Sequence, residues 1–230
     1  LGIDRLAEYG FRFGFGEKTG IPHNNERSGR VPTKEWHRKH SPNGYQHGFA
    51  LNTVLGQGDT MATPLQVALA YAAIANGGKL YYPRIVREVR NGEGDVLYRF
   101  RPEVRKRVGL DEEQLEVLRK GLWKVVNKEG GTAYRAKLDD VEISGKTGTA
   151  QVHSIGRVRI PNRDKLYQLL DHAWFAAYAP SDEPEIALTV KRGHIVAVDP
   201  ANSIVRDTLV GIRYDREAVL AQARDRDAAL

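Results

Sequence analysis

No cysteine occurs in the 230 residues, which removes disulfide scaffolds, thiolate metal sites and cysteine nucleophiles together and leaves the redox compartment open. An oxidising cell envelope would tolerate such a chain. Long apolar runs are missing too: the longest, Val67 to Ala75, falls far short of the roughly 20 residues that cross a bilayer. The first residues, Leu1-Gly2-Ile3-Asp4-Arg5, lack an initiator methionine, a basic leader and an apolar leader core, so they read as the interior of a longer sequence. Internal repeats and low-complexity tracts are absent as well.

What is present is a globular composition, 41% hydrophobic and 28% charged, long enough for one large domain or two small ones. Thirty-five basic against 29 acidic side chains give a net charge of +6. The excess is scattered among acids, as on a solvated basic surface. The densest basic stretch, Arg99 to Arg107, is broken by Pro102 and Glu103 and lacks the interleaved row of aromatics a nucleic-acid groove uses. Nucleic acid is therefore not an expected partner.

Apolar spacing at Ile3, Leu6, Tyr9 and Phe13 predicts a short opening helix with Asp4 as its N-cap. Residues 17–52, rich in Gly, Pro, Asn, His and charge, read as a long irregular segment. Within it His37, His40 and His47 lack a carboxylate at helical spacing, which argues for an exposed polar loop over a metal site. Thr63-Pro64 then opens a helix that is apolar almost all round and stops at Asn76-Gly77-Gly78, the pattern of a buried helix. Two charged strands, Ile85 to Val89 and Val96 to Phe100, read as a projecting hairpin turning at Asn91-Gly92-Glu93-Gly94. Asp111 with Gln114 forms a capping box for a helix striped by Leu115, Leu118, Leu122 and Val125 and stopped by Gly130-Gly131. Three strands follow: Val141 to Val152 through Gly145-Lys146-Thr147-Gly148-Thr149, Ala173 to Ala179, and Ile186 to Val190. The turn Pro180-Ser181-Asp182-Glu183-Pro184 makes the last two antiparallel neighbours. The alternating Asp, Arg, Ala and Leu of residues 211–230 read as a charged terminal helix. Trp123 and Trp174 read as core anchors, and Trp36 as a pin for the irregular segment.

The segment Gly145-Lys146-Thr147-Gly148-Thr149 carries the chemistry. A phosphate-binding loop needs a glycine at position 140, where Asp140 stands, and must turn into a helix, whereas this segment continues as a strand. The other reading is the Lys-Thr-Gly element of penicillin-interactive serine enzymes. A lysine and a threonine hydroxyl beside a cleft hold a carboxylate, a glycine lets an extended peptide lie against the strand, and the Thr149 N–H can face a developing oxyanion.

Further motifs follow one another in order: Phe13-Gly14-Phe15-Gly16, Thr19-Gly20-Ile21, Glu26-Arg27-Ser28-Gly29, Gly56-Gln57-Gly58, Ala62-Thr63-Pro64-Leu65-Gln66, Gly131-Thr132-Ala133, Lys146-Thr147-Gly148-Thr149-Ala150-Gln151 and Trp174-Phe175-Ala176-Ala177-Tyr178-Ala179-Pro180. From residue 1 to about Val190 the series resembles the transpeptidase domain of class B penicillin-binding proteins, nearest to penicillin-binding protein 2 of the elongation machinery. The resemblance implies an α/β (α+β) fold of the penicillin-binding protein/β-lactamase type, an antiparallel sheet flanked by helices, incomplete at the N-terminus. It makes residues 1–210 the C-terminal part of a transpeptidase domain, with residues 191–210 departing from the family, since Lys191 to Pro200 stand where its glycine-rich continuation is expected.

The activity implied is peptidoglycan D,D-transpeptidation through an acyl-serine intermediate, in the bacterial envelope on the outer side of the inner membrane. The implied partners are stem peptides ending in D-alanyl-D-alanine, β-lactams, and a membrane-embedded glycan polymerase; no cofactor or metal is implied. Carried over by position, Lys146 and Thr147 look like the carboxylate-recognising pair, Gly148 the close-approach residue and Thr149 the oxyanion donor and a substrate contact, with Gly56, Gln57 and Gly58 supporting the cleft. No Ser-x-x-Lys occurs in the chain, so the nucleophile is expected upstream of Leu1, and Ser41-Pro42-Asn43 matches the family's Ser-x-Asn in letters only. Two further readings stand beside this one: a non-catalytic penicillin-fold module that binds a peptide or partner protein, and a serine β-lactamase or β-lactam sensor.

Overall fold

The fold is built around a helix that the sequence stops and starts sharply. α4 (Pro64–Ala75) opens on a capping box in which the Gln66 N–H donates to the Thr63 hydroxyl (3.2 Å) and the Thr63 N–H donates to the Gln66 side-chain oxygen (2.8 Å), with proline in the first turn. Five alanines in this helix let its backbone approach a sheet closely. Ala68, Leu69, Ala72 and Ala73 join Leu80, Val108, Leu115, Tyr178, Ala187 and Val198 in the buried core. A computed structural model describes residues 2–22, 24–151, 171–191, 194–201, 203 and 205–206. The predicted terminal helix at 211–230 and the predicted strand end at Val152 lie outside them.

The sheet beneath α4 is antiparallel throughout, in the order β5-β6-β7-β8-β9. Its strands are β5 (Ser144–Ala150), β6 (His172–Ala179), β7 (Ile186–Lys191), β8 (His194–Val198) and β9 (Val205–Arg206). Lys146 lies opposite Ala176, which lies opposite Thr189, so the predicted trio of strands stands in the predicted order. Val141 to Ile143 lead into β5 without joining it. The segment from Lys191, expected to depart from the family, forms β8 and extends the sheet by antiparallel pairing with β7. α5 (Glu112–Asn127) has the expected Asp111–Gln114 capping box, buries Leu115 and Val126, and packs against β5.

Smaller pieces sit on this frame. β1 (Lys79–Tyr81) pairs with β4 (Val104–Arg107), a ribbon without period-2 alternation in the sequence, and β2 (Glu88–Arg90) pairs with β3 (Val96–Arg99) as the predicted hairpin, shortened at the end away from its turn. α1 (Ile3–Arg12) is capped by Gly2, not Asp4. The Asp4 carboxylate instead accepts the Lys34 N–H (2.8 Å) at the start of another helix.

That helix corrects the reading of residues 17–52 as irregular. α2 (Lys34–His40) and α3 (His47–Val54) both lie in the segment. The Thr33 hydroxyl caps α2 by accepting the Trp36 N–H (3.0 Å), and Lys39 reaches Glu35 one turn back (2.6 Å). Polar composition concealed the helix because its stabilising contacts are capping, ion pairing and ring stacking instead of an apolar stripe. The histidines do not lie in a loop: His37 is buried in α2 and stacks on Phe49 at 4.0 Å, while His40 and His47 are exposed, as expected, but on α2 and α3, with His40 stacked on Trp36 at 4.5 Å. Ser41 ends α2 and its hydroxyl meets the His37 ring at 3.0 Å, which accounts for it structurally.

One buried residue joins the irregular stretches to the core. The Gln66 side-chain NH2 donates to the carbonyls of Glu17 and Ser28, both at 2.8 Å, while its oxygen completes the capping box. Gln66→Leu strips all three contacts and leaves two carbonyls unpaired, so it should lower stability by about 3 kcal/mol. A parent protein whose melting temperature does not fall on this change would rule out the role.

Burial also sets a pH response. The Tyr71 hydroxyl, in α4 near Tyr178, is pushed up to about 12 from an ordinary value of 10.0, chiefly by desolvation. The folded state therefore holds its proton while the unfolded chain releases it, and stability must fall as pH rises between about 10 and about 12, at up to about 1.4 kcal/mol per pH unit. Denaturant titrations across that range should show a shallower loss for Tyr71→Phe than for the unaltered protein.

Candidate active site

β5 is the marginal strand of the sheet, so among the described residues no strand lies beside its outer edge. In an antiparallel ladder successive residues aim their N–H and C=O to opposite sides. The Thr149 carbonyl accepts from the Gln57 side chain (2.7 Å), on the side away from β6. The N–H groups of Thr147 and Thr149 thus face the same open edge. The Gln57 side-chain oxygen also accepts the Gln151 N–H (3.2 Å), and one carboxamide thereby stands in for a short piece of neighbouring strand. Gly56 and Gly58 flank it with φ of +69° and +71°, and the Gln57 N–H donates to the Asn52 carbonyl (2.8 Å) as α3 ends. The two glycines shape the turn without touching β5; Gln57 alone reaches the strand.

Lys146 is exposed on β5. Its ammonium donates to the Thr147 carbonyl (2.9 Å) and the Thr147 hydroxyl (3.2 Å) and lies 3.4 Å from the Thr132 hydroxyl. The Thr147 hydroxyl in turn donates to that of Thr132 (3.0 Å). All the partners are neutral oxygens, and among the described residues no carboxylate lies within ion-pair distance of Lys146. The result is an uncompensated cation and two hydroxyls at one end of an open strand edge that also presents N–H donors. Such a set holds a carboxylate and polarises a carbonyl one residue away.

Thr132 is a member of this set whose role the sequence did not disclose, although Gly131-Thr132-Ala133 was visible as a motif. Its position is fixed by Gly131, where a Cβ would run into the Val125 carbonyl oxygen at the end of α5, and by the Ala133 N–H bonding that same carbonyl (3.1 Å). The glycines of β5 divide in the same way. A Cβ on Gly145 would lie 2.7 Å from the Ala177 Cβ and 2.8 Å from the Ala176 carbonyl, so packing requires glycine there. At Gly148 a Cβ would meet only the Trp174 Cβ, at an ordinary 3.5 Å. Internal packing therefore leaves Gly148 unexplained and the strand bare at that point. Trp123 and Trp174 are half-buried, not core anchors; the Trp123 indole N–H donates to Glu142 (2.9 Å) and so ties α5 to the approach to β5.

Comparison with known proteins gives the family. A model of the penicillin-binding protein transpeptidase domain matches residues 1–207. The chain belongs to that family. It is 37% identical over 194 residues to the peptidoglycan D,D-transpeptidase MrdA of Haemophilus influenzae, covering 83% of this chain and 29% of the relative. To MrdA of Escherichia coli K12 the identity is 31% over 192 residues, covering 83% and 30%. Among solved structures, penicillin-binding protein 2 (PBP2) of Pseudomonas aeruginosa in complex with WCK 5153 matches with a TM-score of 0.62 and 32% identity, over 88% of this chain and 39% of that one. PBP2 of Helicobacter pylori in complex with MreC matches with a TM-score of 0.65 and 32% identity, over 88% and 33%. The chain thus spans about 30% of the length of the curated relatives it matches. The transpeptidase fold, with helices against an antiparallel sheet, is the one the sequence implied.

The carboxamide bridge is open to direct measurement. Gln57→Leu in the parent protein removes both bonds to β5, each contributing about 1 kcal/mol, and should speed hydrogen exchange of the Gln151 amide about tenfold. An unchanged exchange rate would mean that Gln57 does not hold the edge in solution.

Proposed function

We propose that this chain supplies the substrate-binding edge of a peptidoglycan D,D-transpeptidase of the PBP2 type, with residues 1–210 as the C-terminal part of its catalytic domain. The observation that carries the reading is the uncompensated Lys146 ammonium, set with the Thr147 and Thr132 hydroxyls on an unpaired strand edge. An extended stem peptide ending in D-alanyl-D-alanine lies along β5 as an added strand, with its terminal carboxylate on Lys146 and Thr147. Gly148 leaves room for the peptide backbone. Thr149 gives its N–H to the oxygen of the scissile carbonyl and its hydroxyl to the substrate, while Gln57 holds the carbonyl side of that residue so that the donor stays aimed.

In this reading the nucleophile is a serine of the parent protein, outside the stretch compared here, because no Ser-x-x-Lys is present in the chain. Its oxygen bonds to the carbonyl carbon of the penultimate residue, the C–N bond breaks, and the terminal D-alanine leaves with the proton. The amine of a second stem peptide then takes the acyl group and returns the serine. A β-lactam ring follows the first half of this path and stops, since its leaving amine stays tethered. Extending an open edge strand is what the geometry offers, and it offers it equally to peptide and drug. The reading places the enzyme at the outer face of the inner membrane with a membrane-embedded glycan polymerase as partner, by likeness to the elongation machinery. Among the described residues no helix is long and apolar enough to cross a membrane.

Lys146→Ala in the parent protein tests this. Loss of one charge-assisted contact to a carboxylate weakens the transition state by about 2–4 kcal/mol, so acylation by benzylpenicillin should slow by about two to three powers of ten with no change in melting temperature. Thr147→Val removes a neutral hydroxyl and should slow it less. A well-folded Lys146→Ala protein acylated at the original rate would overturn the assignment of this strand.

A further inference from the structure

Behind β5, on the side away from its open edge, a cavity of about 680 Å³ lies between α5, the end of α4 and the turn joining β6 to β7. Lys146 is not among its walls, although Ser144, two residues earlier on the strand, is. Ligand pockets commonly fall in the range of about 300–1,000 Å³.

The charges around it are of two kinds. Glu116, Arg119 and Lys120 on α5 pair with one another. The remaining three have no opposite charge within ion-pair distance among the described residues: Lys124 on α5, and across from it Glu142 and Asp182. Glu142 receives only the Trp123 indole N–H. Tyr178 forms part of the wall and is fully buried, with Ser144 beside its hydroxyl. The nearby Ser144 hydroxyl is engaged with that of Ser181 (2.9 Å). Desolvation raises the Tyr178 hydroxyl above its ordinary value, against the Ser144 hydrogen bond, which lowers it.

We propose that this cavity is a second binding site, for a small diamino carboxylic acid or a peptide ending in one, with its two ammonium groups against Glu142 and Asp182 and its carboxylate against Lys124. One free cation and two free carboxylates call for that charge pattern, and the Trp123 ring supplies an apolar wall for the methylene chain between the charges. A phosphate or nucleotide fits poorly, because free carboxylates outnumber free cations around the space.

The test uses the full-length parent protein and L-lysine as probe in a calorimetric titration. The expected result is saturable binding of one lysine per chain at about millimolar affinity. Cadaverine, which lacks the carboxylate, and norleucine, which lacks the side-chain amine, should each bind about tenfold more weakly, one tenfold step being one lost charge contact. Lys124→Gln and Asp182→Asn should each weaken lysine about tenfold while benzylpenicillin acylation is unchanged. Protein already acylated by benzylpenicillin should bind lysine as well as free protein does. The proposal is overturned by an absence of saturable heat up to roughly 50 mM lysine, some 50 times the expected dissociation constant. It is equally overturned by undiminished affinity in the Lys124→Gln/Asp182→Asn protein, or by loss of binding on acylation, which would put the lysine in the cleft at β5. The titration of unacylated protein stands whether or not the parent proves to be a transpeptidase.

Discussion

The outer edge of β5 sets the terms for everything around it. An edge strand with free N–H and C=O groups invites pairing with any passing strand, and proteins normally cover, charge or shorten such an edge. Here it is partly closed by the Gln57 carboxamide, which meets Thr149 and Gln151, and guarded by the exposed Lys146 ammonium. Between the two, the outward N–H groups of Thr147 and Thr149 face an edge that no strand covers among the described residues. The strand is open over a short interval and satisfied beyond it, and that interval is where an extended ligand can add.

Holding such an edge straight requires a stiff support behind it. α4, with small side chains that allow close approach, packs against β6, β7 and β8, and α5 packs against β5 itself, tied to the approach to that strand through Trp123 to Glu142 and Asn127 to the Ile143 carbonyl. The end of α5 then delivers Thr132 beneath Lys146, since Gly131 can pass against the Val125 carbonyl where any other residue would clash. One helix therefore both braces the strand and contributes a hydroxyl to the polar group on it. The same helix presents Lys124 to the cavity on its far side, so the two places with free charge share a single structural element.

Gln66 does for the irregular first quarter of the chain what α5 does for β5. Its carboxamide is shared between the cap of α4 and two distant loop carbonyls, and burial makes each of those bonds hard to replace with water. With Asp4 at the start of α2 and the His37–Phe49 stack between α2 and α3, this brings Gln57 to the sheet from a segment that looks unstructured by composition.

The sequence by itself determined the elements whose stability is local. The Asp111–Gln114 capping box was legible because an N-cap and its N3 partner sit three residues apart in the chain, and Thr63-Pro64 was legible as a helix start, whereas the part of Gln66 in that cap was not read. The Lys-Thr-Gly strand and the two antiparallel strands that follow it were legible from apolar runs and a short turn. So was the family, from many short motifs in one order. Only the tertiary structure decided what depends on contacts between distant residues. α2 and α3 carry no apolar stripe, because their stabilisation comes from a cap, an ion pair and stacked rings. The pairing of β1 with β4, the bridge from Gln57 to Thr149, and Thr132 under Lys146 join residues 14 to 92 positions apart, and periodicity carries no record of such meetings. Gly145 and Gly148 show the limit most plainly: three residues apart and identical as letters, one is glycine because the neighbouring strand leaves no room for a Cβ, and the other stands where there is room to spare.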